Sequence, residues 1–484
     1  MRRGTLPPMS PLRDLAAALR RPSMQIALIV ACANFMQNLD STIIVTALPA
    51  MAHSFATNAA RVSEGITAYA LAAAVCIPAS AWLSERLGAR NLFCGAIALF
   101  TLASMACGLS STFGLFITAR LVQGGSAAMM SPIGRLIVLR NTQKHDLMQT
   151  LSTLVWPSLL APVIGPALGG LITDALSWRW IFYVNVPFGI AAVALVLAVI
   201  PNQGEPGRTS FDGRGFILLA IAVGCLTYGL DVIAGRQASP MLALVLFAAA
   251  LAAGYAAVRH LDGAQEPLVQ LDVLRRREFF VATVSGGGVT RAAISATPFL
   301  LPLMLEVAFG YSPLDAGLVL LVYMLANLLM KAVTNPIIRR FGLRRVLMVN
   351  GAIVAAGIAA CALIAPGLPM ALTALILLLA GASRSMQFTA MLFTTFAEIS
   401  HEERSPASVL FSLTQQIAMA VGVASAALIL NFSRLLRHSA SLSPFDFRLA
   451  LLLMGCFGLL ALFAYARLDR NTGSEVSGHR VRAA

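Results

Sequence analysis

The stretch FMQNLDSTIIVTALP, residues 35–49, places an acid inside an apolar run that begins near Met24. Asp40 stands about eight residues from the far end of that run, or about 12 Å deep at 1.5 Å per helical residue. A second run, near 113–138, carries Arg120 about 10 Å from the same face. Two opposite charges thus sit at matched depth. A charge at the centre of a membrane helix costs about 2.5–3.5 kcal/mol on insertion scales, and such residues usually mark ion or substrate pathways. Gln37 lies one turn before Asp40 on the same face, and Gln123 lies beside Arg120 at i+3. Two further cations are embedded: Arg291, after Gly286, Gly287 and Gly288, and Arg384, with Gln387 three residues on. The embedded charges thus number one acid against three arginines, a balance that points toward neutral or anionic ligands if they share a cavity. Lys331 lies nearer a helix end and is expected to snorkel.

The elements that must hold these residues follow from composition. The chain has 484 residues, 58% hydrophobic and 12% charged, with mean hydropathy +0.80. A soluble chain would carry about 25% charged residues. The apolar residues form fourteen blocks, near 25–48, 64–84, 92–110, 113–138, 150–173, 180–200, 213–233, 240–259, 279–306, 313–336, 346–365, 369–396, 406–431 and 448–467. Blocks of about 20 residues span a bilayer as helices, and they lack the alternation of barrel strands. The expectation is an all-α polytopic membrane protein.

With both termini on one side, that side holds 25 of the 35 Lys and Arg, the other side 6, and 4 fall inside helices. This is the bias of cytoplasmic loops. It accounts for the net charge of +14 through the lipid bilayer rather than nucleic acid. The first apolar run is too long for a secretory signal and reads as an uncleaved helix. The seven cysteines form no CxxC and read as small core residues. Neither Lys144 nor Lys331 follows glycine, so no P-loop is present. The histidines lack zinc-ligand spacing, and no nucleophile–base cluster suggests an enzyme. No cofactor or metal is expected, and transport would draw on an ion gradient or a separate subunit. The excess of Arg over Lys and the compact loops suggest a bacterial inner (cytoplasmic) membrane.

Two loops repeat. AWLSERLGARNLF, 81–93, and NPIIRRFGLRRVL, 335–347, each end a helix, place R-x-G in the turn and add a basic residue. The chain divides into a cytoplasmic segment 1–24, six helices over 25–200, an inserted pair over 201–278, six helices over 279–467 and a cytoplasmic tail 468–484. Internal repeats of this kind mark many secondary transporters.

The loop 81–93 resembles the cytoplasmic signature G-x-L-a-D-R-x-G-R-[KR] of the major facilitator superfamily, with Ala81, Glu85 and Ala89 as departures. In the second loop Arg339 replaces the acid. ARLVQGGSAA resembles the superfamily's fourth-helix signature and GPALGG its fifth-helix antiporter signature. LDSTIIVTALP and WRWIFYVNVPFG are similar to the fourteen-helix drug:proton antiporters of the EmrB/QacA type, and YSPLDAG at 311–317 carries the match into the second half. The resemblance implies a major facilitator fold with 14 transmembrane helices, two six-helix halves and an inserted pair.

It further implies that the first and fourth helices of each half line a cavity. Asp40 and Arg120 would then pair and couple protons, since burial disfavours a bare carboxylate and a neighbouring arginine favours it. Gln37, Gln123, Arg291, Arg384 and Gln387 would line the substrate cavity. Glu85, Arg86, Gly88 and Arg90 would form a conformational latch. Gly165, Pro166, Gly169 and Gly170 would bend the fifth helix and seal it against a neighbour in the other half, through close packing of small residues and a lost helix bond. The implied function is proton-coupled export of drugs or other toxic amphipathic small molecules. The alternatives are export of an organic anion through the cavity arginines, and a non-transporting membrane sensor. Relatives sometimes work with a separate periplasmic adaptor and outer-membrane channel. The oligomeric state is left open.

Overall fold

The computed structural model describes residues 21–57, 59–143, 146–202, 210–234, 239–439 and 441–477. The segment before residue 21 and the tail beyond 477 lie outside the described residues. The N-terminal half comprises α1 (Pro22–Ser54), α2 (Ala59–Cys76), α3 (Ala79–Leu87), α4 (Ala89–Leu109), α5 (Phe113–Arg140), α6 (Leu147–Ala175), α7 (Trp180–Tyr183) and α8 (Asn185–Val199). The pair α9 (Gly213–Ala234) and α10 (Pro240–Gly263) follows. The C-terminal half comprises α11 (Arg277–Phe280), α12 (Gly286–Leu303), α13 (Pro313–Leu329), α14 (Lys331–Phe341), α15 (Leu343–Ala360), α16 (Met370–Ala397), α17 (Arg404–Leu436) and α18 (Pro444–Tyr465). π-helical turns at Val281–Ser285 and Met304–Ala308 flank α12.

Among the described residues eleven helices are long and apolar enough to cross a membrane, or thirteen when the bent pairs α2–α3 and α13–α14 each count as one span. α5 is outside that set. Its 28 residues would extend about 42 Å, but Arg120, Gln123, Arg135 and Arg140 lower its apolar character. The bundle interior tolerates those groups because neighbouring helices satisfy them.

The sequence repeat is also a structural repeat. The second helix of each half is bent, by 63° at the α2–α3 break and by 48° at the α13–α14 break. Pro78 sits at the first break, where it cannot supply a helix N–H. Each bent helix ends on a glycine of positive φ: Gly88 at +79° and Gly342 at +76°. Side chains rarely adopt that conformation. Two residues on, Arg90 Nη2 donates to the Leu197 carbonyl and Arg344 Nη2 donates to the Ala466 carbonyl, at 2.5 and 2.8 Å. Both acceptors close the sixth helix of their own half. These turns share one end of the bundle with Arg140 and the Arg21–Asp146 ion pair; it is the basic end.

Buried apolar side chains form three clusters. One joins both halves toward the basic end, through Val30, Phe93 and Leu136 on one side and Ile338, Phe393 and Phe411 on the other. The other two are separate. Ile43, Met51, Phe116 and Phe182 belong to the N-terminal half alone, and Leu300, Tyr323, Leu377 and Phe447 to the C-terminal half alone. The halves are thus fused by a common core at one end and carry private cores at the other.

The inserted pair lies at the periphery. α9 and α10 pack on each other, and α9 also packs on α2 and α17. Only 22% and 17% of their apolar windows are buried, against 67% for the span Arg277–Ala308. Their linkers are tied together outside the bundle. Asp212 accepts from the backbone of Gly215 and Leu268 and contacts His260 Nε2 at 2.8 Å. Burial works to raise the Asp212 carboxyl, but these partners outweigh it and hold the group below the usual carboxylate range.

Candidate functional site

Asp40 lies near the middle of α1 and is 1% exposed. Arg120 Nη1 donates to its Oδ2 at 2.7 Å, with both side chains fully buried. Gln123 Nε2 donates to Oδ1 at 2.8 Å, and Asn185 Nδ2 donates to the same oxygen at 2.9 Å. The depth match read from the sequence is therefore realised as direct contact. Three donors on one carboxylate compensate a charge that burial alone would make very costly.

Each partner is itself held. Arg120 Nη1 also donates to Gln123 Oε1 at 2.6 Å, and its Nε donates to the Gly65 carbonyl at 3.2 Å. Its guanidinium lies over the Tyr69 ring, 4.5 Å from the centroid, and 6.0 Å from that of Phe182. Asn185 also donates to Ser104 Oγ, which donates to the Phe182 carbonyl. Arg120 Nη2 is buried without a protein partner among the described residues. One guanidinium nitrogen is therefore left over for a water or a ligand.

Asn185 was missed in the sequence reading. It opens α8 just after the break at Val184, in the stretch WRWIFYVNVPFG. The signal was present: an amide in an otherwise apolar block needs a partner. Its shallow sequence depth hid it.

In the second half Arg291 is fully buried, and its Nη1 donates to the carbonyls of Ala282 and Thr283, both at 3.2 Å. The π-helical turn Val281–Ser285 frees those carbonyls from the regular ladder. Gly287 permits it, since a Cβ there would meet the Ala282 oxygen at 1.8 Å. Among the described residues Arg291 Nε and Nη2 have no hydrogen-bond partner. Arg291 and Arg135 both stack on Phe411, at 4.9 and 4.4 Å from the ring centroid. Arg135, which the sequence analysis does not single out, crosses the halves. Its Nη1 donates to Ser412 Oγ at 3.0 Å and to the Ser408 carbonyl at 3.3 Å.

Arg384 lies 5.6 Å from the centroids of both Tyr323 and Phe388, and its Nη1 is buried without a hydrogen-bond partner among the described residues. A repeat relation emerges here. Tyr69 precedes Gly88 by the same spacing that separates Tyr323 from Gly342. A Cβ on Gly124 would strike the Tyr69 carbonyl at 2.2 Å, and one on Gly381 the Tyr323 carbonyl at 2.1 Å. Both halves thus bring their fourth helix onto the tyrosine of their second helix and set an arginine over its ring. In the N-terminal half the arginine has an acid; among the described residues no buried acid faces Arg384.

Other expected site residues fall elsewhere. Gln37 is not among the donors to Asp40 and accepts from Ser131 Oγ at 3.2 Å. Gln387 is fully buried, accepting from Asn350 at 2.8 Å and donating to the Leu347 carbonyl at 3.2 Å. These bonds hold α16 to α15. Lys331 does not snorkel. It is 8% exposed and donates to Thr389 Oγ1, because α14 turns it inward onto α16.

The glycines of α6 meet a different neighbour from the one expected. A Cβ on Gly165 would meet Thr42 Oγ1 at 2.3 Å, and one on Gly169 would meet Thr46 Oγ1 at 2.4 Å and the Ile43 carbonyl at 2.5 Å. Both face α1 of the same half, where Thr42 Oγ1 also donates to the Ala161 carbonyl. Gly170 has open space, and the Pro166 side chain lies outside the described residues. In the first repeat loop Arg86 lies over Trp82 at 5.2 Å, and Glu85 lies close enough to Arg140 to act on it electrostatically.

With this geometry in hand, the likenesses to known proteins are informative. The family model of the Major Facilitator Superfamily matches residues 30–258 and 283–482. A relative from Escherichia coli O6:H1, named "Putative multidrug resistance protein MdtD", is 34% identical over 468 residues, 94% of this chain and 97% of its own. One of the same name from Cronobacter sakazakii is 36% identical over 407 residues, 83% of this chain and 85% of its own. Among solved structures, the human organic anion transporter MFSD10 (TETRAN) aligns with TM-score 0.67 at 14% identity, covering 92% of this chain and 100% of that one. The proton:xylose symporter XylE aligns with TM-score 0.63 at 14% identity, covering 93% and 97%. At such identity the solved structures establish the fold alone. The chain is a multi-pass membrane protein of the Major Facilitator Superfamily, a transporter and not an enzyme.

Proposed function

We propose that this protein is a proton-coupled exporter of drugs or other amphipathic small molecules across the bacterial inner membrane, with both termini cytoplasmic. The observation that carries this reading is the buried Asp40–Arg120 pair with its Gln123 and Asn185 donors. Protonation of Asp40 removes the charge opposite Arg120 and turns an acceptor into a group that must donate. Its neighbours all present donors, so the cluster must rearrange. Coupling that rearrangement to rocking of the two halves gives alternating access. The proton gradient then supplies the energy, with about 2.3 kcal/mol per charge per 100 mV from the potential, and no cofactor is needed. The relatives' multidrug names favour a broad substrate range. Passage beyond an outer membrane would require a separate periplasmic adaptor and outer-membrane channel.

The conformation described fits one end of that cycle. The cross-half side-chain hydrogen bonds of Arg135 to Ser412 and Ser408, Ser408 to Pro132, Arg404 to Leu139 and Ser152 to Asn335 lie toward the basic end. The private cores occupy the other end. If the basic end faces the cytoplasm, this is a state closed inward.

A second reading is export of an organic anion. It is favoured by the buried Arg291 and Lys331 and the half-buried Arg384 of the C-terminal half, beside which no buried acid lies among the described residues. An anion would relieve their mutual repulsion.

The test uses purified protein in liposomes with an imposed pH gradient, and neutral, cationic and anionic compounds as cargo. Gradient-driven flux is expected for the native chain and should fall to background in Asp40→Asn. Undiminished driven flux in Asp40→Asn would remove Asp40 as the coupling group. Preference for anions that is lost in Arg384→Gln would favour the second reading. Movement of no compound would favour the sensor.

A further inference from the structure

At the basic end the C-terminal half contains a cavity of about 540 Å³, lined by Arg340, Phe341, Arg344, Arg345, Val349 and Arg470 among others, with no acid in its wall. Arg340 and Arg345 flank one ring, with guanidinium carbons 5.5 and 5.8 Å from the Phe341 centroid. Phe341 and Val349 are 42% and 55% exposed. The cavity is thus basic at its mouth and apolar along a wall that continues onto the bundle's outer surface. Arg344 uses one nitrogen on the Ala466 carbonyl, while its Nε is buried without a hydrogen-bond partner among the described residues.

The repeat separates what the fold needs from what it does not. Gly342 and Arg344 have counterparts in Gly88 and Arg90, which make the same turn and the same carbonyl contact. Arg345 has no such counterpart, since Asn91 stands there in the first loop. The pocket beside Arg90 is only about 10 Å³ and has a different lining, with Ala89, Ile137, Arg140 and Ile200. Arg345 is therefore an addition of the second half, beyond the needs of the turn.

We propose that this cavity binds the phosphate of an anionic phospholipid, with the acyl chains along Phe341 and Val349. Guanidinium forks match phosphate oxygens with paired charge-assisted hydrogen bonds. Basic pockets between helices at the cytoplasmic surface suit such head groups, and each Arg near an anionic surface is worth about 1 kcal/mol, or about fivefold in binding. A free phosphate shares the head group's charge but gains nothing from the apolar wall.

The experiment follows thermal unfolding of the purified full-length protein in detergent micelles doped with phosphatidylglycerol, with phosphatidylcholine, or supplied with inorganic phosphate. Phosphatidylglycerol should raise the unfolding temperature well beyond phosphatidylcholine, and inorganic phosphate should not. In Arg345→Asn the phosphatidylglycerol needed for half the effect should rise about fivefold, and about 25-fold with Arg470→Gln added. Arg345→Asn places the first loop's own residue in the second turn, so the turn should still form. Arg345→Lys should keep most of the binding, which controls for folding. Equal protection by both lipids, or an unchanged phosphatidylglycerol requirement in Arg345→Asn, would overturn the proposal. Full protection by millimolar inorganic phosphate would replace the lipid by a soluble anion.

Discussion

At the scale of single residues, the Asp40 cluster is a matter of mutual compensation. Removing one member of a buried ion pair leaves the other charge uncompensated, at a cost of about 3–5 kcal/mol. Arg120→Leu should therefore destabilise the protein by about that amount. Asp40→Asn combined with Arg120→Leu should cost clearly less than the two single changes summed, because no stranded charge remains. Thermal unfolding of the three variants in one detergent checks this. Strict additivity would mean that the pair contributes no coupling. Asp40, Arg120 and Gln123 were legible in the sequence because embedded polar residues need an explanation wherever they occur. Asn185 and Arg135 were not, because sequence depth placed both near helix ends. Their importance arises from what lies opposite: Asp40 for Asn185, and Phe411 with Ser412 for Arg135.

At the scale of elements, small residues decide how closely helices approach. Gly169 meets α1 through a hydroxyl and a backbone carbonyl that cannot move aside, whereas Gly170, one residue on, faces open space. Gly169→Val should cost about 1–3 kcal/mol through overpacking, while Gly170→Val should stay within about 0.5 kcal/mol of the native chain. Unfolding temperatures of the two variants decide the point, and equal losses would show that α1 and α6 do not pack as described. The motif itself was legible as a tight-packing, helix-bending segment. Which neighbour it meets was not, because a run of glycines specifies proximity without naming the partner. The Gly88 and Gly342 turns were legible as helix-ending turns with a basic residue after them, whereas the sixth-helix carbonyls that Arg90 and Arg344 reach were not.

For the whole molecule, the common core at the basic end and the two private cores at the other define a body that can rock. Ser152 and Asn335 face each other across the halves at 3.2 Å. In a chain freed of its seven native cysteines, Ser152→Cys with Asn335→Cys should cross-link readily. The link should block flux, and reduction should restore it. Efficient cross-linking with full flux would show that the halves do not part at this end. The peripheral α9–α10 pair touches α2 and α17 across the seam between the halves and is little buried, so it must accommodate that rocking.

The sequence by itself determined that the chain is a bundle of apolar helices with a twice-used loop and a few embedded charges. Those facts depend on residue type, block length and local spacing, which need no long-range contact to be read. Only the tertiary structure decided which charges are paired, which arginines are left without an acid, and which end of the bundle is closed. Each of those depends on helices far apart in sequence meeting in space. The physical reason is that a side chain's solvation is set by its neighbours: Arg120 and Arg384 read alike as embedded cations, yet folding gives one a carboxylate and leaves the other over an aromatic ring.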